Sequence, residues 1–281
     1  MTLEKFEQFV KERRFLKNVT VRTEEFYQDV RSALKRFYRQ PEFTEEGLKE
    51  WVVNMRQAGV KPVSCNSYAS GANAYLNWLF KQGLLATKLS VARQQTSKQN
   101  IQAFSPMQTR ALIGWKPKGW YEQRLGTLVL LLLDTGMRID EAFRLERREV
   151  DLENMLVRVR GKGDKYRLIP LSFEGRKALF RWLPQHAFQV VFPTRRGTKL
   201  AHRPNLRAFV GLCKRLGIEG PRCSFHTLRH TFALAYLRNG GDVFRLQRIL
   251  GHTSLEMTRR YVDLQTEDLQ AVHNRLSPLA V

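Results

Sequence analysis

The chain has 281 residues, 43% of them hydrophobic and 26% charged, so it can bury a core without disulfides or structural metals. Lys plus Arg number 48 against 26 Asp plus Glu, a net charge of +22 that favours a polyanionic partner, with nucleic acid first. An anionic membrane surface would require an amphipathic anchor or a lipidation signal, and the sequence offers neither; its longest apolar run, Leu128 to Leu133, is far too short to span a bilayer. Three scattered cysteines, Cys65, Cys213 and Cys223, fall outside any C-x-x-C pattern and exclude a disulfide framework or a zinc ribbon. With no apolar signal core in the first fifteen residues, a reducing, cytoplasmic setting with nucleoid DNA is expected, in a bacterial or archaeal type of cell.

The first 85 or so residues predict four helices. Thr2 is placed to cap a segment that turns Phe6, Phe9 and Val10 inward. Phe26, Tyr27, Val30, Ala33, Leu34, Phe37 and Tyr38 keep a 3.6-residue period. Thr44 followed by two glutamates opens a third helix that Gly59 stops, and a fourth runs from Pro62 to Gly83. No strand pattern interrupts them, so residues 1–90 read as an all-α bundle. Residues 91–104 lose the apolar period and are rich in Gln, Ser and Lys, which predicts a linker. Ser105-Pro106 then starts a second domain, 105–281. Residues 1–100 carry 17 basic and 10 acidic side chains, and residues 101–281 carry 31 and 16, so both parts are basic. Two basic domains on a tether predict a clamp around duplex DNA.

The second domain reads as mostly helical with one small antiparallel sheet. Leu125 to Leu133 is a buried helix, and Gly136 separates it from another over Arg138 to Glu146. Met155 to Arg160, a Gly-Lys-Gly-Asp-Lys turn, and Tyr166 to Leu171 predict a hairpin. Further helices are expected at 173–183, 203–216, 226–239, 242–250 and 254–261, with a last one near 266–276.

One constellation carries chemistry: His226, Arg229 and His230, then His252, then Tyr261, read together with Arg138, Glu141 and the hairpin lysine Lys162. His226 and Arg229 are three apart and share a helix face. Two arginines and two histidines converging on one point make a socket for a tetrahedral phosphate, where forked guanidinium donors oppose the charge that builds up at phosphorus. A tyrosine at the rim can attack phosphorus, and a lysine on a hairpin can protonate a departing oxygen. His226 and His230 also stand at the i, i+4 spacing of a zinc helix, but Thr227 replaces the glutamate that metalloprotease chemistry needs, so no metal is expected and His230 reads as a packing or supporting residue. Lys165 is the fallback acid on the same hairpin. Arg195, Arg196, Lys199 and Arg203 form a basic cluster read as DNA-binding through phosphate contacts. Cys213 and Cys223 read as small buried hydrophobes.

The blocks TGMRIDE, VRVRGKGDKYRLIPL, HTLRHTFA and LGHTSLEMTRRYV, in this order, resemble those of the tyrosine recombinase (phage integrase) family, especially its compact two-domain, Xer-like members. The resemblance implies a SAM-like, helical core-binding domain followed by the α+β catalytic domain. It implies that Arg138 and Arg229 bind the scissile phosphate, that Lys162 is the general acid, and that His226 assists proton transfer at the phosphate or the nucleophile. It further implies that His252 donates a hydrogen bond to the phosphate, that Tyr261 is the nucleophile, and that Glu141 supports the first arginine. The implied activity is DNA cutting and rejoining through a covalent 3′-phosphotyrosine and a Holliday junction, for integration, excision or resolution. It would be carried out by a homo-tetramer on two copies of a specific recombination site, with no ATP, metal or other cofactor. The helix at 266–276, with Leu269, Val272 and Leu276 at helical spacing, would dock on a neighbouring protomer. The alternatives are a type IB topoisomerase-like relaxing enzyme and a non-catalytic DNA-binding regulator; the latter would not need Tyr261, Lys162 and both arginines together.

Overall fold

Four amphipathic helices make the first of two units, Met1–Gln99, in a computed structural model that describes residues 3–96, 101–161, 166–252, 254–262 and 273. They are α1 (Phe6–Leu16), α2 (Val21–Phe37), α3 (Glu45–Gln57) and α4 (Pro62–Lys81). Thr20 and Thr44 cap α2 and α3 by accepting the backbone N–H of Thr23 at 3.3 Å and of Gly47 at 3.0 Å. The first helix starts after Lys5 with no side-chain cap, and Thr2 lies outside the described residues. Phe6, Phe9, Trp51, Tyr75 and Leu76 fill the core, and the indole N–H of Trp51 donates to the Ala33 carbonyl at 3.1 Å.

The stretch read as a linker is fastened at both ends. Asn73 exchanges hydrogen bonds with the backbone of Val91 (3.0 and 2.7 Å), and Asn66 does the same with Gln94 (2.9 and 2.8 Å). At the other end Phe104 is buried, and its N–H donates to the Thr231 hydroxyl at 2.9 Å. Side-chain amides that satisfy irregular backbone leave no periodic trace, so an apolar-period reading passes over them.

The second unit, Asn100–Val281, opens with α5 (Pro106–Gly114), where Ser105 and Gln108 form a capping box. Then come α6 (Gly119–Thr135), α7 (Ile139–Arg144), β1 (Val150–Asp151), β2 (Leu156–Arg160), β3 (Tyr166–Pro170) and α8 (Phe173–Trp182). The last elements are α9 (His202–Arg215), α10 (Phe225–Arg238), α11 (Val243–Leu250) and α12 (Leu255–Val262). The sheet is antiparallel in the order β1-β2-β3, with Val157 opposite Ile169 and both buried. At two residues β1 is too short to show alternation, and it was not expected from the sequence.

Helix α6 is apolar through Leu125 to Leu132 and runs through the main core between α8 and α10. Helix α10 serves two cores. Phe225 and Leu228 join the main one, while Ala233, Leu234 and Leu237 meet Leu246, Leu250 and Tyr261 of α11 and α12 in a second. The mostly α fold with a small antiparallel sheet agrees with the expectation. Among the described residues, no helix is long and apolar enough to cross a membrane.

Candidate active site

The site forms where the C-terminal ends of α6 and α11 meet the N-terminal half of α10. Helix α6 stops at Gly136, whose φ of +59° suits glycine, and a Cβ there would lie 2.2 Å from Phe232 Cδ1. The freed Gly136 carbonyl accepts Arg229 Nη1 at 2.7 Å. Helix α11 stops at Gly251, with φ of +64°, and the turn turns the Leu250 and Gly251 carbonyls toward both arginines. Arg229 Nη2 donates to Leu250 at 2.9 Å, and Arg138 reaches Leu250 and Gly251 at 3.5 and 3.4 Å. The two guanidinium groups therefore converge on one turn.

They differ in exposure. Arg229 is 5% exposed, and burial, then the charge of Arg138, lowers its pKa to about 10, which leaves it protonated at neutral pH. The Arg138 side chain is 42% exposed and follows the cap, so it offers an edge to an incoming group. Its orientation comes from Glu141, which accepts the Arg138 N–H at 2.8 Å and Nη1 at 3.3 Å. Glu141 is itself gripped by Arg167 through two bonds of 2.9 and 2.8 Å, while Arg167 Nε holds the Ile249 carbonyl at 2.7 Å. Burial pushes the Glu141 carboxyl up, but the hydrogen bonds and charges of Arg167 and Arg138 outweigh it and hold it below its ordinary value. This clamp ties β3, α7 and the end of α11 together under Arg138.

His252 lies between two partners. Its Nε2 is 2.9 Å from Arg229 Nη2, which can only donate, so Nε2 accepts and the proton sits on Nδ1, donated to Thr258 Oγ1 at 2.8 Å. Burial, followed by Arg229, Arg138 and Arg167, lowers its pKa to about 4. In this state the ring faces Arg229 as an acceptor, and donating from Nε2 to a phosphate requires that nitrogen to gain the proton. Tyr261 is 3% exposed, with its ring parallel to that of His252 at 6.5 Å and its hydroxyl 2.8 Å from His230 Nδ1. Burial raises the phenol pKa against the pull of Arg229, Arg260 and Arg138. His226 stands exposed in the first turn of α10, where partial loss of hydration and then Arg229 and His202 hold its imidazole below the ordinary value.

Arg138, Glu141, Arg229, His252 and Tyr261 thus gather in one neighbourhood, with His226 beside it. Lys162, Lys165 and the 266–276 segment, apart from His273, lie outside the described residues. Arg195, Arg196, Lys199 and Arg203 form a separate exposed surface at the start of α9 and the loop before it. There the Arg195 guanidinium lies 4.5 Å from the Trp120 ring and 5.2 Å from that of Tyr121. Tyr121, Arg124, Arg195, Arg196 and Arg215 line a groove of about 650 Å³. Among the described residues no cluster of His, Cys, Asp and Glu is arranged to hold a metal ion.

Two residues of the site, Arg167 and Thr258, escape sequence reasoning, and so does the contact that His230 makes. Arg167 had a local signal, because it shares the inward face of β3 with buried Ile169, and an inward arginine demands a partner. His230 reads from the sequence as a packing or supporting residue, and its partner is what the spacing to His226 does not disclose. Its hydrogen bond to Tyr261 spans 31 positions and depends on how α12 sits on α10.

Residues 89–268 match the model of the phage integrase family. The chain is 28% identical to the tyrosine recombinase XerC of Shewanella amazonensis, over 99% of this chain and 96% of that protein. It is 30% identical to the tyrosine recombinase XerD of Pseudomonas putida, over 78% and 77% respectively. Its fold is similar to that of the Tn1549 transposon integrase in complex with transposon right-end DNA, with a TM-score of 0.78, 21% identity and coverage of 99% and 100%. It is also similar to the XerH site-specific recombinase bound to its difH substrate, with a TM-score of 0.73, 20% identity and coverage of 97% and 84%.

Proposed function

The chain belongs to the phage integrase family, and from that premise we propose how this site-specific DNA recombinase divides the work among its own residues. The observation that carries the reading is the convergence of Arg138 and Arg229 on the Leu250–Gly251 turn, next to a tyrosine whose hydroxyl is already hydrogen-bonded. An entering scissile phosphate competes with those backbone carbonyls for the guanidinium donors, offering anionic acceptors where the carbonyls are neutral ones. Arg138 supplies the exposed edge and Arg229 the buried charge that counters the dianionic transition state. Tyr261 attacks phosphorus, forming a 3′-phosphotyrosine ester as the P–O5′ bond breaks, and Lys162 protonates the departing 5′-oxygen to a hydroxyl. His226 and His252 complete the shell around the non-bridging oxygens. The ester conserves the bond energy, so religation to a partner strand needs no nucleotide.

In this reading four protomers act on two copies of one duplex site and pass through a Holliday junction, in the cytoplasm and on nucleoid DNA. Arg195, Arg196, Lys199 and Arg203 contact phosphates flanking the cleavage point, and the 266–276 segment docks on the neighbouring protomer. Isolation of a preferred duplex from a randomised pool, followed by incubation of its nicked form with the full chain, tests the chemistry. The expected product is a slow-migrating covalent protein–DNA band on a denaturing gel. Tyr261→Phe, which removes one oxygen and keeps the ring, abolishes that band while retaining duplex binding. A covalent band mapped to another residue in Tyr261→Phe overturns the assignment.

A further inference from the structure

The catalytic scheme above leaves one proton without a destination, that of the Tyr261 hydroxyl. Lys162 acts on the leaving oxygen, and His226 is exposed in the first turn of α10. The group in contact with the phenol is His230, whose Nδ1 lies 2.8 Å from Tyr261 Oη. We propose that His230 is the general base of this recombinase, taking the phenol proton onto Nδ1 as the tyrosine oxygen attacks phosphorus. The inference deepens the proposed function and rests on Tyr261 being the nucleophile.

The geometry favours a base over a passive contact. His230 follows Arg229 directly on α10, so one helical segment sets both the phosphate-binding arginine and the group that touches the nucleophile. On α12, Tyr261 comes from the helix that also provides Thr258, the partner of His252. The charged and titratable groups that act on the His230 ring are Tyr261 and Arg260 from α12, His252 from the turn after α11, and His226 and Arg229 from α10 itself. Burial first, then His226, Arg229 and Arg260, lowers the His230 pKa to about 4, so the ring is neutral at physiological pH and has a lone pair for the phenol. Burial keeps the phenol protonated, and the step uses the His230 tautomer that carries its hydrogen on Nε2, in which Nδ1 accepts from the Tyr261 hydroxyl.

Substrate binding then strengthens the base. Arg229 is one of the cations that keep His230 from accepting a proton, and it is the cation the phosphate would neutralise. A phosphate anion in the socket therefore raises the proton affinity of His230 just where the phenol must lose its proton. In the step, the Oη–H bond breaks and the proton moves to Nδ1, giving an imidazolium. The Oη–P bond forms as the P–O5′ bond breaks, and Lys162 gives its proton to the leaving oxygen. Religation runs in reverse, with the imidazolium returning its proton to the departing tyrosine oxygen.

His230→Asn tests this, because an amide oxygen accepts the phenol hydrogen bond but does not take its proton. With the full chain and the nicked duplex in single-turnover cleavage, His230→Asn should cleave about 10²- to 10⁴-fold more slowly with unchanged duplex affinity. Installing 3,5-difluorotyrosine at position 261, which lowers the phenol pKa, should recover most of that loss in His230→Asn and change the wild-type rate little. If the variant does not fold, the unmutated chain still reports. Base-assisted attack gives a flat rate between pH 7 and pH 9, whereas attack by pre-ionised tyrosine rises about tenfold per pH unit. A wild-type cleavage rate in His230→Asn, a loss that fluorination does not recover, or the tenfold-per-unit rise overturns His230 as the base while the covalent band keeps the recombinase reading intact. No covalent band from the wild-type chain overturns both.

Discussion

The two units bury different kinds of side chain. The core of residues 1–99 is apolar and aromatic, with Phe6, Phe9 and Tyr75 in mutual ring contact, Trp78 against Phe9 and Tyr75, and Trp51 fully enclosed. All the buried polar or charged residues found among the described ones, Thr127, Thr135, Asn205, Thr227, Arg229, Thr231 and Thr258, lie in the second unit. All six histidines of the chain lie there as well. The first unit uses burial to hold a shape, and the second uses part of its burial to hold charge and hydrogen-bonding capacity near one turn. Such groups cost desolvation energy and are stabilising only while their partners stay in place.

That contrast predicts opposite responses to mutation. Trp51→Ala removes the largest enclosed side chain of the first unit and should destabilise that unit by about 3–5 kcal/mol. Hydrogen exchange resolved by peptide should show the loss confined to residues 1–99. Loss of protection that spread equally into α6 and α10 would mean that the two cores are a single cooperative system.

In the second unit the corresponding experiment is Arg229→Ala, whose main effect should fall on chemistry. Removing a donor that stabilises transition-state charge costs about 10²- to 10³-fold in cleavage rate in comparable sites. The substitution also strips the Gly136 carbonyl and His252 Nε2 of their donor, at about 1–3 kcal/mol for each acceptor that water does not reach, and leaves the Leu250 carbonyl with Arg138 at 3.5 Å. Single-turnover cleavage alongside a denaturant melt separates the two. A variant destabilised as severely as Trp51→Ala yet cleaving at the wild-type rate would assign Arg229 to the architecture alone.

Legibility from sequence follows the same division. The helices of the first unit are readable because apolar burial repeats every 3.6 residues, as in Val30, Ala33 and Leu34, and α6 because its apolar run from Leu125 is nearly continuous. The identities of Arg138, Arg229, His252 and Tyr261 were readable through a family resemblance. What periodicity could not reveal were the partners: Arg167 on Glu141 across 26 positions, and His230 on Tyr261 across 31. Those pairings are set by the register of β3 against β2 and by the seat of α12 on α10, which are tertiary facts. The tautomer of His252 is hidden for the same reason, since it is fixed by Arg229 on one nitrogen and Thr258 on the other.

Acid should separate the units without any mutation. His230 and His252 have folded pKa values lowered to about 4 from 6.5, so between those values the unfolded chain binds protons that the folded chain refuses. Stability rises with pH wherever the unfolded state binds more protons, so this contribution is fully present above about pH 6.5 and is lost progressively as the pH falls toward 4. Glu141 extends the trend: its folded pKa lies below 4.5, so its contribution is present above that value and is lost as the pH falls through the lowered one. The first unit has no histidine. Exchange measured at pH 7 and pH 5, corrected for intrinsic rates, should show residues 100–281 losing protection relative to residues 1–99. Equal loss in both would place the acid-sensitive groups elsewhere.

The smallest expected effect lies on the exposed surface, and it extends the comparison from buried charge to charge held in place. Arg195 and Lys199 both carry a positive charge at the exposed start of the α9 region, but Arg195 lies against the rings of Trp120 and Tyr121, beside Arg124, which is anchored on the Pro193 carbonyl at 2.7 Å. A guanidinium stacked on aromatic rings has already given up much of its rotamer freedom, so less is lost when it meets a phosphate. A lysine in the same loop pays that ordering cost on binding. Each substitution to alanine should reduce the slope of log affinity against log salt by about one phosphate contact. Arg195→Ala should nonetheless weaken duplex binding more than Lys199→Ala, by up to about 1 kcal/mol in the difference. Arg195→Lys should fall between them, because it keeps the charge and loses the planar stack. Titrations of the full chain at several salt concentrations decide the matter. Equal losses for Arg195→Ala and Lys199→Ala would mean that charge alone, and not its pre-ordering by Trp120 and Tyr121, sets the affinity of this surface.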